Sequence, residues 1–142
     1  MRYYAVVDTN VIISAVITKN AESATVKVYQ AMRNGKIVPL YHSEILEEYE
    51  DVLSRPQFHQ SKEAIENFLN AVKQFGIEVS PNQTDEELPD EDDVIFYEVV
   101  MEKQDLNAYL ITGNIKHFPR RRFVVTPAEM VEIMEREKFT AD

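Results

Sequence analysis

Short apolar segments rich in β-branched and aromatic residues alternate with amphipathic segments along this chain, and the alternation limits the folds it can adopt. The strand-like segments are residues 3–7, 37–41, 77–79, 109–112 and 123–125. The helix-like segments begin at Thr9, Ser23, Ser43, Ser61, about Asp92 and Thr126. Such alternation predicts an α/β fold with three layers, α/β/α, around a mainly parallel sheet of about four to five strands.

Length and composition are typical of a globular protein. The chain has 142 residues, of which 44% are hydrophobic, and it contains no internal repeat, so we predict one domain over residues 1–142. The lack of cysteine excludes a disulfide framework and a thiolate zinc site. We see no export signal and no apolar run near the roughly 20 residues that span a bilayer. We therefore expect a cytoplasmic protein that does not enter a membrane.

The formal charge of −10 at pH 7 counts against a surface with broad attraction for nucleic acid, because such surfaces are normally basic. Much of the excess negative charge lies in the single segment 85–93. A bound metal ion would neutralise part of that charge.

Polar residues follow two of the predicted strands. They are residues 8–10 after the first strand and residues 112–114 after the fourth strand. In open α/β sheets, ligands bind beyond the carboxyl ends of the strands, at the point where the strand order reverses. Polar residues after strands also cap helices, and both roles are open for Asp8 at this point.

The predicted helix over residues 43–53 contains four acids, which are Glu47, Glu48, Glu50 and Asp51. At 100° per residue, Glu48 and Glu50 flank the apolar stripe on opposite sides, whereas the other two point away from it. Either Glu48 or Glu50 is therefore a candidate for a cleft. The alternative is a solvated acidic helix face.

Three aspartates, Asp90, Asp92 and Asp93, lie at the start of another predicted helix. Capping and compensation of the helix dipole account for one or two of them. Because like charges so close together repel each other, a bound cation would relieve the repulsion. The segment is a candidate metal site.

Four motifs occur in a fixed order along the chain. They are Val-Val-Asp-Thr-Asn-Val at 6–11, Ser-Glu-Ile-Leu-Glu-Glu-Tyr-Glu-Asp-Val-Leu-Ser-Arg-Pro at 43–56, Asp-Glu-Asp-Asp at 90–93, and Tyr-Leu-Ile-Thr-Gly-Asn-Ile-Lys-His-Phe-Pro at 109–119. This ordered set resembles the PIN-domain nucleases over nearly the whole chain. The likeness is greatest to the bacterial branch whose members are toxin components of toxin–antitoxin pairs.

The resemblance implies a PIN-like fold and a metal-dependent ribonuclease that uses Mg²⁺ or Mn²⁺. It places the first, second and third acids of the family on Asp8, Glu48 and Asp93. Many members have Asp after Thr-Gly, where this chain has the neutral Asn114. Because an amide oxygen binds hard cations less strongly than a carboxylate, a weaker second metal site is expected.

The resemblance also implies supporting residues around those acids. Asp90 and Asp92 are further candidate ligands, and Thr9, Asn10 and Thr112 are expected to hold the ligands or metal-bound waters in place. For these three residues the alternative role is capping.

A basic segment follows the Thr-Gly-Asn motif and is the natural place for RNA phosphates to bind. Its residues are Lys116, His117, Arg120, Arg121 and Arg122. The alternative is an ordinary basic loop. The resemblance further implies a partner antitoxin protein that covers the site, and a homodimer.

Two other functions fit parts of this pattern. One is a catalytically inactive PIN-like module that binds RNA or a protein, in which Asn114 marks a degraded site; such a module would not need metal. The other is a phosphatase of the haloacid dehalogenase type, in which a strand-end aspartate such as Asp8 is the nucleophile. That chemistry expects a second aspartate two residues later, where this chain has Asn10.

Overall fold

The computed structural model describes residues 2–140. Within that range the strands are β1 (Tyr3–Val7), β2 (Ile37–Tyr41), β3 (Ile77–Glu78), β4 (Tyr109–Ile111) and β5 (Val124–Val125). The helices are α1 (Thr9–Ile17), α2 (Ala24–Arg33), α3 (Ser43–Leu53), α4 (Lys62–Phe75), α5 (Val94–Glu102) and α6 (Pro127–Thr140). The predicted alternation of strands and helices is confirmed, and the boundaries differ by at most about two residues.

The five strands form one parallel sheet in the order β3-β2-β1-β4-β5. From β1 the chain proceeds to β2 and β3 on one side, and then returns to place β4 on the other side of β1. The strand order therefore reverses at β1 and β4, where Val7 lies beside Ile111. Ligands bind beyond the carboxyl ends of strands at such a reversal, so the fold predicts a site just after these two residues.

Helices cover the sheet and bury its central strand. Ala5, Val6 and Val7 of β1 are fully buried, as is usual for a parallel strand with helices on both faces. Helix α2 packs against α6 and β2, α5 packs against β1 and β4, and α3 contacts α4 and α5. The predicted α/β/α architecture is confirmed. Between residues 2 and 140, none of the helices is both long and apolar enough to cross a membrane.

Helix α5 begins two residues later than predicted. Residues Glu91–Asp93 form a 3₁₀ turn, and Asp90 caps this turn because its Oδ1 accepts a hydrogen bond of 2.9 Å from the Asp92 amide. Asp93 is thereby placed at the junction between the turn and the helix.

Candidate active site

Asp8 directly follows β1 and is almost completely buried, with 5% of its surface exposed. It occupies the N-cap position of α1, but its side chain makes no capping hydrogen bond. Instead, its Oδ2 accepts hydrogen bonds from the Thr112 hydroxyl at 2.7 Å and from Asn10 Nδ2 at 3.1 Å. The capping interpretation of Asp8 is therefore wrong, and its carboxylate belongs to a network at the sheet edge.

This network joins the two strand ends that meet at the reversal of strand order. The Thr112 hydroxyl accepts a hydrogen bond from the Asn114 amide at 2.9 Å, and Asn10 Oδ1 accepts one from the Gly113 amide at 3.1 Å. Thr112 is fully buried. Its hydroxyl donates one hydrogen bond, to Asp8, and accepts one, from the Asn114 amide. Asp8 is held in one orientation by residues from both strand ends.

Helix α3 brings Glu48 to the same place. The Glu48 carboxylate accepts a hydrogen bond from the Thr9 hydroxyl on α1. Glu50, the other candidate on this helix, is exposed to solvent. The structure thus brings Glu48, and not Glu50, to Asp8.

Tyr49 determines how α3 lies over the end of β1. This residue is buried, and its hydroxyl donates a hydrogen bond to the carbonyl of Val7, the last residue of the central strand. This polar role of Tyr49 was not predicted from the sequence. A tyrosine next to a candidate acid on a buried helix face was the available signal, because a buried tyrosine hydroxyl usually has a hydrogen-bond partner.

Asp93 is the third carboxylate at this edge, and 13% of its side-chain surface is exposed. Its two aspartate neighbours lie differently: Asp90 caps the 3₁₀ turn, and Asp92 lines a groove between α3 and α5 together with Glu48. The charge of Asp90 adds to the raised pKa of Asp93, and that of Asp92 adds to the raised pKa of Glu48. The assignment of Asp90 and Asp92 as metal ligands stays a prediction.

The three carboxylates influence one another electrostatically. Burial raises the pKa of Asp8, and hydrogen bonding from Thr112 partly opposes the shift. Burial also raises the pKa of Glu48, and the negative charges of Asp8 and Asp93 add to the effect. Burial raises the pKa of Asp93 to about 6, with a further increase from the charge of Asp8. The arrangement favours neutralisation by protons or by a cation.

The donor set suits a hard divalent cation, since carboxylate oxygens are the ligands that Mg²⁺ and Mn²⁺ prefer. As placed, no three Asp, Glu or His side chains among residues 2–140 form a ready-made metal-binding group. Asp8 and Glu48 are both held by hydroxyl hydrogen bonds. Their carboxylates fit a divalent ion by the chemistry of their donor atoms.

The basic segment after β4 divides into two parts. His117 is directed toward the acids, with its Nδ1 at 3.4 Å from Asp93 Oδ2. Arg121 is paired with Glu86, with a distance of 2.7 Å between its NH2 and Oε1. Lys116, Arg120 and Arg122 are exposed and form no ion pair within the described range. The assignment of these five residues to RNA binding stays a prediction.

Glu86 is a second residue that the sequence analysis missed. Its carboxylate also accepts a hydrogen bond from the hydroxyl of the buried Tyr97 on α5. It therefore connects the acidic loop before α5, the helix itself and the basic segment through Arg121. Its position within a run of seven acids concealed this role.

Comparison with known proteins identifies the family. The PIN domain family matches residues 4–116, which is more than half of the chain. This protein therefore belongs to the PIN domain family, whose members are generally nucleases that act on nucleic acids with divalent metal ions. No curated protein matches the chain significantly. Membership of this family is inconsistent with the phosphatase alternative, for which Asn10 also stands in place of the required second aspartate.

Proposed function

We propose that this protein is a metal-dependent ribonuclease that hydrolyses phosphodiester bonds in single-stranded or structured RNA, with Mg²⁺ or Mn²⁺ as its cofactor. One observation carries the proposal: in a PIN domain, Asp8, Glu48 and Asp93 from three separate elements lie at one sheet edge with raised pKa values. Carboxylates that repel one another in this way are stabilised by a divalent cation.

Asp8, Glu48 and Asp93 would hold the ion. When bound, it would supply a polarised water molecule and offset the charge that develops on the phosphate. Thr112 orients the Asp8 carboxylate, and Thr9 orients that of Glu48. Such supporting hydrogen bonds are important because metal sites depend on fixed ligand positions.

Exposed cations in the segment after β4 would bind the RNA backbone. Lys116, Arg120 and Arg122 follow β4, whose carboxyl end carries Thr112 of the Asp8 network. Phosphate contacts of this kind position a nucleic acid without reading its sequence. On a chain with a net charge of −10, this short segment is where the attraction would be concentrated.

The first test is cleavage of a mixed-sequence single-stranded RNA by the wild-type protein and by Asp8→Asn. Each protein is assayed with Mg²⁺, with Mn²⁺ and with a chelator. We expect cleavage by the wild type only when metal is present, and a decrease of about two orders of magnitude or more in Asp8→Asn. Equal cleavage by both proteins would place the activity elsewhere or in a contaminant.

A matched pair on α3 extends this test. Glu48→Gln should abolish most of the cleavage, whereas Glu50→Gln, two residues away on the same helix but exposed, should retain it. If metal has no effect and neither the wild type nor any variant cuts RNA, the protein is instead an inactive RNA-binding or protein-interaction module, with Asn114 as the degraded position.

We further propose that the protein is the toxin of a toxin–antitoxin pair and that it forms a homodimer. The resemblance supports both, and an apolar groove of about 470 Å³ between α2 and α4 offers a surface for a partner protein. Phe75, which lines this groove, is 63% exposed. Loss of RNA cleavage on addition of the product of an adjacent small gene would support the pair, and light scattering of the pure protein would test the dimer.

A further inference from the structure

We infer that His117 is a metal ligand at this site, beside Asp93, and that its imidazole shifts the site's preference from Mg²⁺ toward Mn²⁺. The inference rests on the proposed function, because it concerns the ion that the same carboxylates would hold. It changes the sequence-based assignment, which gave His117 to the RNA phosphates.

The backbone of His117 is fixed beside the site, while 47% of its side-chain surface is exposed to solvent. Its amide donates a hydrogen bond of 2.9 Å to the Asn114 carbonyl, and the Asn114 amide donates one of 2.9 Å to the Thr112 hydroxyl. That hydroxyl in turn donates to Asp8. Phe118, the next residue, is buried in the hydrophobic core. His117 is thus linked to the central carboxylate through three consecutive hydrogen bonds.

The imidazole is spaced from Asp93 as a neighbouring ligand would be. The 3.4 Å between His117 Nδ1 and Asp93 Oδ2 exceeds the roughly 2.7–2.9 Å of a charge-assisted hydrogen bond. Two donors that each bind one ion at about 2.0–2.2 Å, at right angles, lie about 3 Å apart. A small side-chain adjustment would therefore allow both atoms to contact the same ion.

Asn114 does not compete for this position. Its side chain is exposed and makes no hydrogen bond to any of residues 2–140, whereas His117 faces the acids from one turn further along. His117 Nδ1 therefore lies close to Asp93, whereas the side-chain amide of Asn114 makes no hydrogen bond to any of the three carboxylates.

The type of donor determines the type of metal. Mg²⁺ strongly prefers oxygen ligands, whereas imidazole nitrogen suits first-row transition ions, and affinity rises from Mn²⁺ toward Cu²⁺. A site with Asp8, Glu48, Asp93 and His117 should consequently bind Mn²⁺ more tightly than Mg²⁺. It should lose that discrimination when the imidazole is replaced.

The test uses Mn²⁺ alone, without RNA. Pulsed electron paramagnetic resonance of Mn²⁺ bound to the full chain should show ¹⁴N coupling, which changes when histidine is labelled with ¹⁵N. His117→Gln should abolish the coupling and weaken Mn²⁺ binding about tenfold or more by calorimetry. Its Mg²⁺ affinity should change much less.

Two further variants make the outcome decisive. His59→Asn, which removes an exposed histidine in the α3–α4 connection, should leave the coupling intact. His117→Asp replaces the imidazole with a carboxylate and should favour Mg²⁺ relative to Mn²⁺. The inference is overturned if wild-type Mn²⁺ shows no nitrogen coupling, or if the coupling persists in both His117 variants. Coupling without RNA cleavage would instead leave the inference standing and refute the proposed ribonuclease activity.

Discussion

Each carboxylate of the site has a hydroxyl, amide or imidazole side chain as its neighbour. Asp8 accepts hydrogen bonds from Thr112 and Asn10, Glu48 accepts one from Thr9, and Asp93 lies beside His117. Burial nevertheless raises all three pKa values. Hydrogen bonds orient Asp8 and Glu48 and favour their ionised forms, whereas burial opposes ionisation and has the larger effect.

Asp93→Asn should stabilise the metal-free protein at neutral pH. The pKa of Asp93 is raised from 3.8 to about 6, so wild-type stability is greatest below the lower value and decreases as pH rises through the higher one. Asparagine removes this dependence. We expect a gain of about 1 kcal/mol at pH 7.5 after allowance for solvent screening, and almost none near pH 4.

Urea unfolding of both proteins in chelator, at several pH values, measures this difference. The substitution also removes the charge of Asp93 from the surroundings of Glu48, so the measured difference includes the change at that neighbouring acid. Asp105→Asn, at an exposed position, is the matched control. A constant difference for Asp93→Asn would contradict the prediction.

At the scale of elements, α3 is oriented by contacts at its start and at its centre. His42 Nδ1 caps the helix by accepting a hydrogen bond of 3.1 Å from the Glu44 amide, and Tyr49 binds the Val7 carbonyl. Because Glu48 precedes Tyr49 directly, the tyrosine contact fixes the position of the neighbouring carboxylate.

Tyr49→Phe should destabilise the protein and impair the site together. It leaves the buried Val7 carbonyl without its side-chain donor, at a cost of about 1–2 kcal/mol in the free energy of unfolding. We also expect weaker Mn²⁺ binding, because α3 loses its attachment to β1. Tyr41→Phe, at a buried tyrosine at the end of β2, should change neither quantity by a similar amount. Equal effects of the two substitutions would rule out a special role for Tyr49.

Local pattern was sufficient to predict the elements but not all of the site. Periodicity located the strands and helices, and the end of β1 placed Asp8, because a strand end in a parallel sheet has a defined position. It did not separate Glu48 from Glu50, since both flank the same stripe. That choice depends on how α3 packs against β1, a contact between residues 42 positions apart in sequence.

The basic segment shows the same limitation. Five basic residues close together in sequence resemble a uniform phosphate-binding patch. In the folded chain His117 faces Asp93 and Arg121 faces Glu86, and both acids lie far away in sequence. Their partners follow from tertiary packing, which neither spacing nor composition records.

At the scale of the whole molecule, Glu86 links the acidic loop before α5 to the basic segment after β4. The Glu86–Arg121 pair is partly exposed, with 36% and 42% of the two side chains accessible, so its own contribution to stability should be less than about 1 kcal/mol. Its consequence for RNA is larger, because it occupies one of the candidate phosphate contacts.

Substitutions in this segment should therefore differ in the salt dependence of RNA binding. Arg120→Gln should lower the slope of log affinity against log salt by about 0.7 for a single strand, as expected when one phosphate contact is lost. Arg121→Gln should leave the slope almost unchanged. Both slopes are measured by titrating RNA into proteins that also carry Asp8→Asn, because this substitution is expected to allow binding without cleavage. Equal slopes for the two arginine variants would show that the ion pair opens when RNA binds.

The hydrogen bond between Thr112 and Asp8 joins residues 104 positions apart, and this separation sets the time at which the site can exist during synthesis. At about 5–20 residues per second, a ribosome needs about 5–20 s to add the intervening chain after Asp8. Until Thr112 emerges, β4 cannot pair with β1, and Asp8 lacks the partner that orients it. A nascent or truncated chain that ends before this point should be unable to cut RNA. The sheet edge that holds Asp8 can therefore form only after β4 has been synthesised and has paired with β1.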